Sequence, residues 1–188
     1  MLSGKTVLLR PIEAGELELV YRLITNVNSK GLFWHLDFPS HQSFQKEYET
    51  NGCWGPDEGR VLIVKKDAPF PSPEAMIGEL IYFKGLDYQD GLEIGYEIFD
   101  TANFGKGYMT EALQLFCSFL FAARPFHRVQ VNLMKGNIGS RKVAEKCGFI
   151  YEGTMRGATY LRGKYHDLEL FSLLRDECLP LETILCTE

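Results

Sequence analysis

The spacing of apolar residues changes several times along the chain, and each spacing predicts an element. Between residues 107 and 123, Ala112, Phe116 and Leu120 recur at helical spacing. A short apolar run bounded by charged residues, as in 60–66, is typical of a strand instead. These patterns predict the order β-α-α-β-β-β-α-β-α-β-β, at residues 6–12, 13–26, 40–51, 60–66, 76–83, 92–99, 107–123, 128–134, 137–147, 149–155 and 168–174. No repeat or linker interrupts this order, so a single domain over residues 1–188 is expected.

Composition and charge narrow the class of protein. The chain has 188 residues, of which 45% are hydrophobic and 24% are charged, as in an ordinary globular domain. Its net charge of −5 argues against a nucleic-acid partner, because phosphate binding is driven by clustered lysine and arginine. No apolar run approaches the roughly 18 residues that a membrane-spanning helix needs, so no membrane partner is expected.

Cysteine and histidine usage favours a metal-free protein of a reducing compartment. The five cysteines are an odd number, lie far apart and form no CxxC pair, which disfavours a disulfide framework or a zinc site. The four histidines lack the spacing of metal ligands. The first residues contain no apolar core of signal-peptide length, so the expected location is the cytoplasm.

The most informative segment is a strand–helix junction at residues 93–112, EIGYEIFDTANFGKGYMTEA. Gly105 and Gly107 stand directly before the helix, where a glycine lets backbone N–H groups approach a ligand closely. The free N–H groups and the dipole of the new helix suit an anion such as a diphosphate. Lys106 and Thr110 can add a charge and a hydroxyl group. A turn that only starts a helix is the alternative interpretation.

Two familiar phosphate-binding loops do not fit this junction. A P-loop requires serine or threonine after its lysine, whereas Lys106 is followed by Gly107. A dinucleotide fingerprint requires GxGxxG and an acidic residue about 20 positions further on. Gly105 and Gly107 give half of that motif, and residues 121–127 contain no acid. A nucleotide-binding domain of another kind stays open as a weaker alternative.

A second segment, NIGSRKVAEKCGFIYEG at 137–153, predicts a helix that Asn137 caps and Gly148 ends. Together with the first segment, it resembles the GNAT superfamily of acyl-CoA-dependent N-acyltransferases, and within it the RimJ/RimL-like branch. The resemblance extends over nearly the whole chain, through LLRPIEAGE, EIGYEI, FGKGYMTEAL, RVQVN, NIGSRKVAEKCGFIYEG and YLRGKYHDLELFSLL.

The resemblance implies a fold and an activity. The fold is α+β, with a central, mostly antiparallel, splayed mixed sheet flanked by helices, and the predicted element order agrees with it. The activity is transfer of an acetyl group from acetyl-CoA to a primary amine, either a protein N-terminus or a small molecule, by direct attack in a ternary complex. No metal is expected, and a homodimer is a further expectation. A non-catalytic CoA-binding or regulatory module of the same fold is the alternative.

The resemblance also implies which residues bind the cofactor. In the family, the strand before the glycine loop pairs with pantetheine, and the loop binds the diphosphate. The next helix contacts the pantetheine arm and could reach the 3′-phosphate. The corresponding residues in this chain are Ile98, Phe99, Asp100, Phe104, Gly105, Lys106, Gly107, Tyr108, Met109, Thr110, Asn137, Ser140, Arg141 and Lys142. Phe104 and Met109 depart from the usual Gln/Arg and Gly/Ala, but donation from the backbone needs neither. Arg141 and Lys142 have a solvated helix surface as their alternative.

Three residues are candidates for the chemistry. Many GNAT proteins protonate the departing thiolate with a tyrosine where this chain has Ala144, so the resemblance makes Ser140 the predicted acid. Glu93 and Glu97 share one strand face and are the predicted bases that deprotonate the amine. The alternatives are structural roles: the serine belongs to the first turn of a helix, and the glutamates are salt-bridged or exposed on the strand. Thr159 occurs where RimL-like members carry a glutamate, which weakens any transfer of their ribosomal-protein substrate to this chain.

Two other residue groups have simple structural interpretations beside a functional one. His166 and Asp167 with Ser140 suggest a hydrolase triad, but adjacent strand residues point to opposite faces and the chain has no GxSxG elbow. An aromatic group before the second predicted helix lies in the region that lines the acceptor pocket in the family, with plain packing as the alternative. Its members are Phe33, Trp34, His35 and Phe38.

Overall fold

The helices and strands follow the predicted order, with short additions near both ends. A computed structural model describes residues 1–29, 31–34, 39–68, 72–85 and 88–185. Its strands are β1 (Leu2–Ser3), β2 (Val7–Arg10), β3 (Glu58–Lys65), β4 (Met76–Lys84), β5 (Gly91–Ile98), β6 (Arg128–Met134), β7 (Ile150–Leu161) and β8 (Lys164–Leu174). Its helices are α1 (Leu17–Ile24), α2 (His41–Asn51), α3 (Tyr108–Ala123), α4 (Ile138–Lys146) and α5 (Leu181–Ile184).

The strands form one mixed sheet in the order β1-β2-β3-β4-β5-β6-β8-β7. Each neighbouring pair is antiparallel except β5 and β6, which are parallel. A parallel pair needs a crossover connection, and α3 lies in that connection. The prediction of an α+β fold with a mostly antiparallel mixed sheet is confirmed.

The sheet opens between its two parallel strands. Their pairing consists of Gly91 with Arg128, Leu92 with Val129 and Glu93 with Gln130. Beyond that point β5 stays paired with β4 as far as Ile98 opposite Gly78, while β6 stays paired with β8. A Cβ atom at position 78 would collide with the carbonyl oxygen of Glu97, so a glycine there permits this close approach of β4. The result is a wedge-shaped opening inside the sheet.

Helices cover the sheet on two faces and separate two apolar cores. On one face α3 packs on alternate strand residues such as Val61 and Ile63. On the other face α1 and α2 pack on the residues between them, such as Leu62 and Val64. This alternation is what successive strand residues produce when both faces are buried. The opening between β5 and β6 therefore has one helix layer on each side of it.

The β7–β8 hairpin is longer than predicted. The apolar pattern predicts strands at 149–155 and 168–174, whereas the hairpin continues to its tip at Arg162 and Gly163, which both have positive φ values of 49° and 86°. Nearly every residue of β7 is exposed, so its outer half lacks the apolar alternation that identifies a strand. The short β1 and α5 were missed for a related reason, because elements of two and four residues have no periodicity.

Candidate active site

A cavity of about 380 Å³ lies at the opening between β5 and β6. Two consecutive residues of β5, Tyr96 and Glu97, both line it. Since neighbouring strand residues point to opposite faces, the cavity reaches both faces of the sheet. It is lined by Gly31, Phe33, Trp34, Tyr96, Glu97, Ile98, Asn103, Phe104, Gly105, Gly107, Tyr108, Met109, Thr110, Asn137, Gly139, Ser140, Lys142, Val143 and Lys146.

The first turn of α3 borders the cavity. Gly107 precedes the helix with a φ of 86°, and Gly105 has a φ of 72°; both are conformations that side-chain-bearing residues rarely adopt. No side chain caps this helix end, so its first amides, those of Tyr108, Met109 and Thr110 among them, have no partner within the helix. Amides and helix dipole together favour an anion at this end of the cavity.

The first turn of α4 borders the cavity from the other side. The Oδ1 atom of Asn137 accepts a hydrogen bond from the Ser140 backbone N–H at 3.1 Å, so the predicted cap is formed. Lys142 and Lys146 lie one helical turn apart and both line the cavity. Neither lysine is ion-paired with an acidic side chain among the described residues.

Arg141 lies elsewhere. Its guanidinium binds Glu145 at 2.9 Å and Glu169 at 3.5 Å, and it lies over the ring of Phe171 at 5.6 Å. Its positive charge is therefore used to hold α4 on the sheet. Lys146 was not among the predicted site residues, although it stands four residues beyond Lys142 on the same helical face.

The edge of β5 that faces the opening carries unpaired backbone groups. The Phe99 N–H donates to the Ile77 carbonyl at 2.9 Å, so the backbone of Phe99 faces β4. Because backbone polar groups alternate in direction along a strand, those of Ile98 face the opening. Of the three residues predicted to pair with pantetheine, Ile98 lines the cavity. The side chain of Phe99 is buried in the core beneath α1, and Asp100 accepts the Ala102 N–H at 2.8 Å.

The predicted loop residues divide in the same way. Phe104 lines the cavity with its ring about half exposed, while Lys106 is exposed and does not line it. Met109 lines the cavity and also contributes to the core beneath α3. The departures from the family pattern at positions 104 and 109 therefore leave apolar side chains at the cavity wall.

Ser140 is held at both of its backbone polar atoms. Its N–H donates to Asn137, and its carbonyl oxygen accepts a hydrogen bond from the Tyr96 hydroxyl at 3.1 Å. Burial raises the pKa of Tyr96, so its hydroxyl stays protonated and able to donate. Ala144, where many GNAT proteins have a tyrosine, is fully buried in the core and contributes no acid.

The two glutamates predicted as bases have different surroundings. Glu97 is 9% exposed and lines the cavity. Glu93 does not line the cavity, and its Oε2 accepts a hydrogen bond from Gln130 Nε2 at 3.1 Å. Among the candidates, the structure therefore brings Ser140 and Glu97 to one cavity and leaves Glu93 at the closed end of the wedge.

Aromatic side chains also line the cavity. Phe33 and Trp34 both line it, together with Gly31. His35 and Phe38 lie outside the described residues. A cavity lined by a carboxylate and aromatic rings suits an alkylammonium group.

The described contacts do not assemble a hydrolase triad or a metal centre. His166 Nε2 contacts the Leu161 carbonyl at 3.2 Å, and Asp167 binds Lys135 and the Gly157 N–H. Neither is bonded to Ser140. Within the described part of the chain, no three His, Cys, Asp or Glu side chains are grouped as metal ligands. No helix there is long and apolar enough to span a membrane.

Comparison with known proteins identifies the family. The family model described as "Acetyltransferase (GNAT) domain" matches residues 6–150. The chain is 37% identical to a probable N-acetyltransferase, YjcK, of Bacillus subtilis, over 94% of this chain and 98% of that protein. It is 31% identical to the ribosomal-protein-serine acetyltransferase of Escherichia coli, over 89% and 92% of the two chains. A solved structure, Vibrio cholerae spermidine N-acetyltransferase in complex with CoA and spermine, has a TM-score of 0.76 at 19% identity, with 92% and 97% coverage. The chain therefore belongs to the GNAT acetyltransferase family and is an N-acetyltransferase.

Proposed function

We propose that this enzyme binds acetyl-CoA on the α3–α4 side of the sheet and transfers its acetyl group to a primary amine that enters from the opposite face. The observation that carries the proposal is the cavity that passes through the opening between β5 and β6. It is lined by Tyr96 on one face and Glu97 on the other. Both substrates can therefore meet without a covalent enzyme intermediate.

The α3–α4 side fits the phosphorylated end of the cofactor. The diphosphate binds at the uncapped amides of residues 107–110. The ammonium groups of Lys142 and Lys146 lie along the same cavity and suit the phosphates of the nucleotide, the 3′-phosphate included. The pantetheine arm runs along the open edge of Ile98. Asn137 contacts this arm through its side-chain NH₂ group, because the cap uses only its Oδ1 atom. Acetyl-CoA is the chemical source of the acyl group in this scheme.

Glu97 serves as the base on the acceptor side. The attacking nitrogen must be neutral, so a carboxylate or a water held by it must take up one proton. Glu97 lines the cavity on the face away from α3, whereas Glu93 does not line it. Phe33 and Trp34 receive the hydrocarbon part of the amine next to this carboxylate.

Ser140 serves as the acid. The amine nitrogen bonds to the thioester carbon, the carbon–sulfur bond breaks, and the hydroxyl proton of Ser140 passes to the departing sulfur. An alkylammonium acceptor gives up two protons: Glu97 takes the first and passes it to solvent, and the second leaves the nitrogen after attack and returns to the serine oxygen through water. The products are an N-acetyl amine and the free thiol of CoA, so no oxidant, metal or further reactant is needed.

The acceptor class follows from charge and from relatives. Glu97, Phe33 and Trp34 together favour an amine that arrives as an alkylammonium ion. Relatives are named for ribosomal-protein serine and for spermidine, so a protein N-terminus and a polyamine are the two classes to compare. A cytoplasmic location, a homodimer, and the absence of nucleic-acid, membrane and metal partners stay predictions from the sequence.

Two measurements test this function. Isothermal titration with CoA is expected to show saturable binding, and with acetyl-CoA the enzyme is expected to release thiol when spermidine or a tetrapeptide with N-terminal serine is added. Binding of CoA without thiol release above the enzyme-free rate, for every amine class tried, would favour the non-catalytic module instead. Stronger binding of NAD or ATP than of CoA would favour the nucleotide-binding alternative.

A further inference from the structure

One side chain connects the two halves of the cavity. Tyr96 extends from β5 toward α4, and its hydroxyl donates to the carbonyl oxygen of Ser140, 44 residues further along the chain, at 3.1 Å. The ladder between β5 and β6 has already ended at the pairing of Glu93 with Gln130. This hydrogen bond joins β5 to α4 beyond the end of that ladder.

The first turn of α4 needs such an anchor. Gly136, with a φ of 94°, precedes it, and Gly139 lies inside it with only the Asn137 cap oxygen near the place of a side chain. Glycines at these places leave the turn without side-chain packing and give it more backbone freedom than other residues would. The bonds to Asn137 and Tyr96 fix the N–H and the carbonyl of Ser140 respectively.

The Tyr96 hydroxyl also stays able to donate this bond. Desolvation of the partly buried ring raises the pKa of Tyr96, so the phenol stays protonated at neutral and mildly alkaline pH. Apolar contacts of the ring with the core beneath α3 fix the other end of the side chain.

We propose that Tyr96 is a positioning residue that sets the place of the Ser140 hydroxyl relative to the thioester sulfur. This inference rests on the proposed function, in which Ser140 protonates the departing thiolate. Tyr96 touches neither reacting atom through its hydroxyl, because that proton is given to the Ser140 carbonyl. Its neighbour Glu97 stands on the other face of the same strand, so one rigid segment of β5 fixes the acid through Tyr96 and carries the base itself.

The size of the expected effect on kcat follows from the geometry of the site. A displacement of a catalytic group by about 1 Å can lower a rate about a hundred-fold. Replacing Tyr96 by phenylalanine keeps the ring and its packing and removes only the hydroxyl. We therefore expect Tyr96→Phe to lower kcat by about ten-fold to a hundred-fold, while the Kd for CoA, measured by titration, changes by less than about two-fold.

A double-mutant cycle separates positioning from a general structural role. Tyr96→Phe, Ser140→Ala and the double variant are compared for kcat, with thiol release from acetyl-CoA and whichever of spermidine and the serine tetrapeptide the wild type uses. If Tyr96 acts through the Ser140 hydroxyl, the double variant has the same kcat as Ser140→Ala, because nothing is left to position. Tyr151→Phe, which removes a phenol bond to Thr154 outside the cavity, is the matched control and keeps the wild-type kcat.

Three outcomes overturn the inference. The first is a loss of kcat on Tyr96→Phe that is as large in the Ser140→Ala background as in the wild type. Another is an unchanged kcat in Tyr96→Phe, and the third is an unchanged kcat in Ser140→Ala, which removes the acid that Tyr96 would position. Each of these leaves acetyl transfer itself intact. A wild-type enzyme that binds CoA and releases no thiol with any amine would contradict the proposed function instead.

Discussion

Glu97 lies directly opposite Glu79 in the register of β4 and β5, and the two side chains are 9% and 4% exposed. Like charges that face each other across strands destabilise a sheet. Arg60 compensates Glu79, with Nη1 at 2.9 Å and 3.2 Å from its two carboxylate oxygens, and its Nε lies 3.8 Å from Glu47. The sheet thus keeps a second carboxylate, Glu97, buried at the cavity wall.

Glu97→Gln tests the base directly. The amide has the same size and removes the proton acceptor, so kcat is expected to fall by about 10²–10⁴-fold. The Kd for CoA is expected to stay within about two-fold, because Glu97 faces away from α3. Thiol release at saturating amine measures the first quantity and titration the second.

The controls for this substitution distinguish the two glutamates. Glu58→Gln, at an exposed position where β3 begins, is expected to behave as the wild type. Glu93→Gln is expected to lose less kcat than Glu97→Gln. A larger loss at Glu93 would show that the base lies at the closed end of the wedge.

Gly107→Ala is expected to weaken CoA binding. Its φ of 86° strains any residue with a side chain, and the proposed diphosphate site begins at this position. Gly163 has the same φ of 86° at the tip of the β7–β8 hairpin, far along the chain from the site. Gly163→Ala therefore repeats the backbone strain without touching the cavity.

The comparison of these two variants separates affinity from stability. Both are expected to lower the melting temperature by a few degrees, as about 1 kcal/mol of strain would. Only Gly107→Ala is expected to raise the Kd for CoA, by about ten-fold or more. Equal Kd values in the two variants would argue against a diphosphate at the start of α3.

Lys142→Ala and Lys146→Ala test the phosphate contacts of α4. Each is expected to raise the Kd for CoA by about three-fold to ten-fold at low salt, with a smaller effect as salt increases. If a lysine binds the 3′-phosphate, its removal leaves the Kd for dephospho-CoA unchanged. Arg141→Ala is expected to lower the melting temperature without changing the Kd, since Arg141 binds Glu145 and Glu169.

Asp167 makes the β7–β8 hairpin sensitive to acid. The Gly157 N–H and Lys135 hold the pKa of Asp167 below its usual value of 3.8. Since the pKa is lower in the folded than in the unfolded chain, the carboxylate stabilises the fold above about pH 4 and loses this effect as the pH falls through the folded-state pKa.

The corresponding experiment is urea unfolding of wild type and Asp167→Asn at several pH values. Near neutral pH the wild type is expected to have the larger free energy of unfolding. The difference between the two free energies is expected to shrink toward about pH 3. Asp176→Asn, an exposed residue after β8, is the control. A gap that is constant over this range would mean that Asp167 contributes through hydrogen-bond geometry and not through its charge.

Local signals predicted much of the site, and tertiary geometry decided the rest. Gly107 before α3 and Asn137 before α4 can be recognised from the chain alone: α3 begins directly after Gly107, and the side chain of Asn137 caps α4. Glu93 and Glu97 cannot be separated by strand period, because they share a face. Their surroundings differ because β5 and β6 diverge just after Glu93. The point of divergence depends on long-range strand pairing, of β5 with β4 and of β6 with β8.

Other features of the site and the fold could not be predicted because they also depend on tertiary contacts. The direction of Lys146 depends on how α4 lies on the sheet, although its spacing from Lys142 was available. The role of Tyr96 cannot be predicted from the sequence, since nothing local indicates that its hydroxyl reaches a carbonyl 44 residues away. In the outer half of β7 only Leu161 is buried, so this half has no apolar alternation from which a strand could be predicted.

The parting of β5 from β6 has one more consequence for the proposed reaction. A sheet is a single layer of backbone, so a donor and an acceptor that approach from its two sides have separate entrances and do not block each other. Either can arrive or depart while its counterpart stays bound. Only two carbon atoms and an oxygen have to pass through the gap in each turnover.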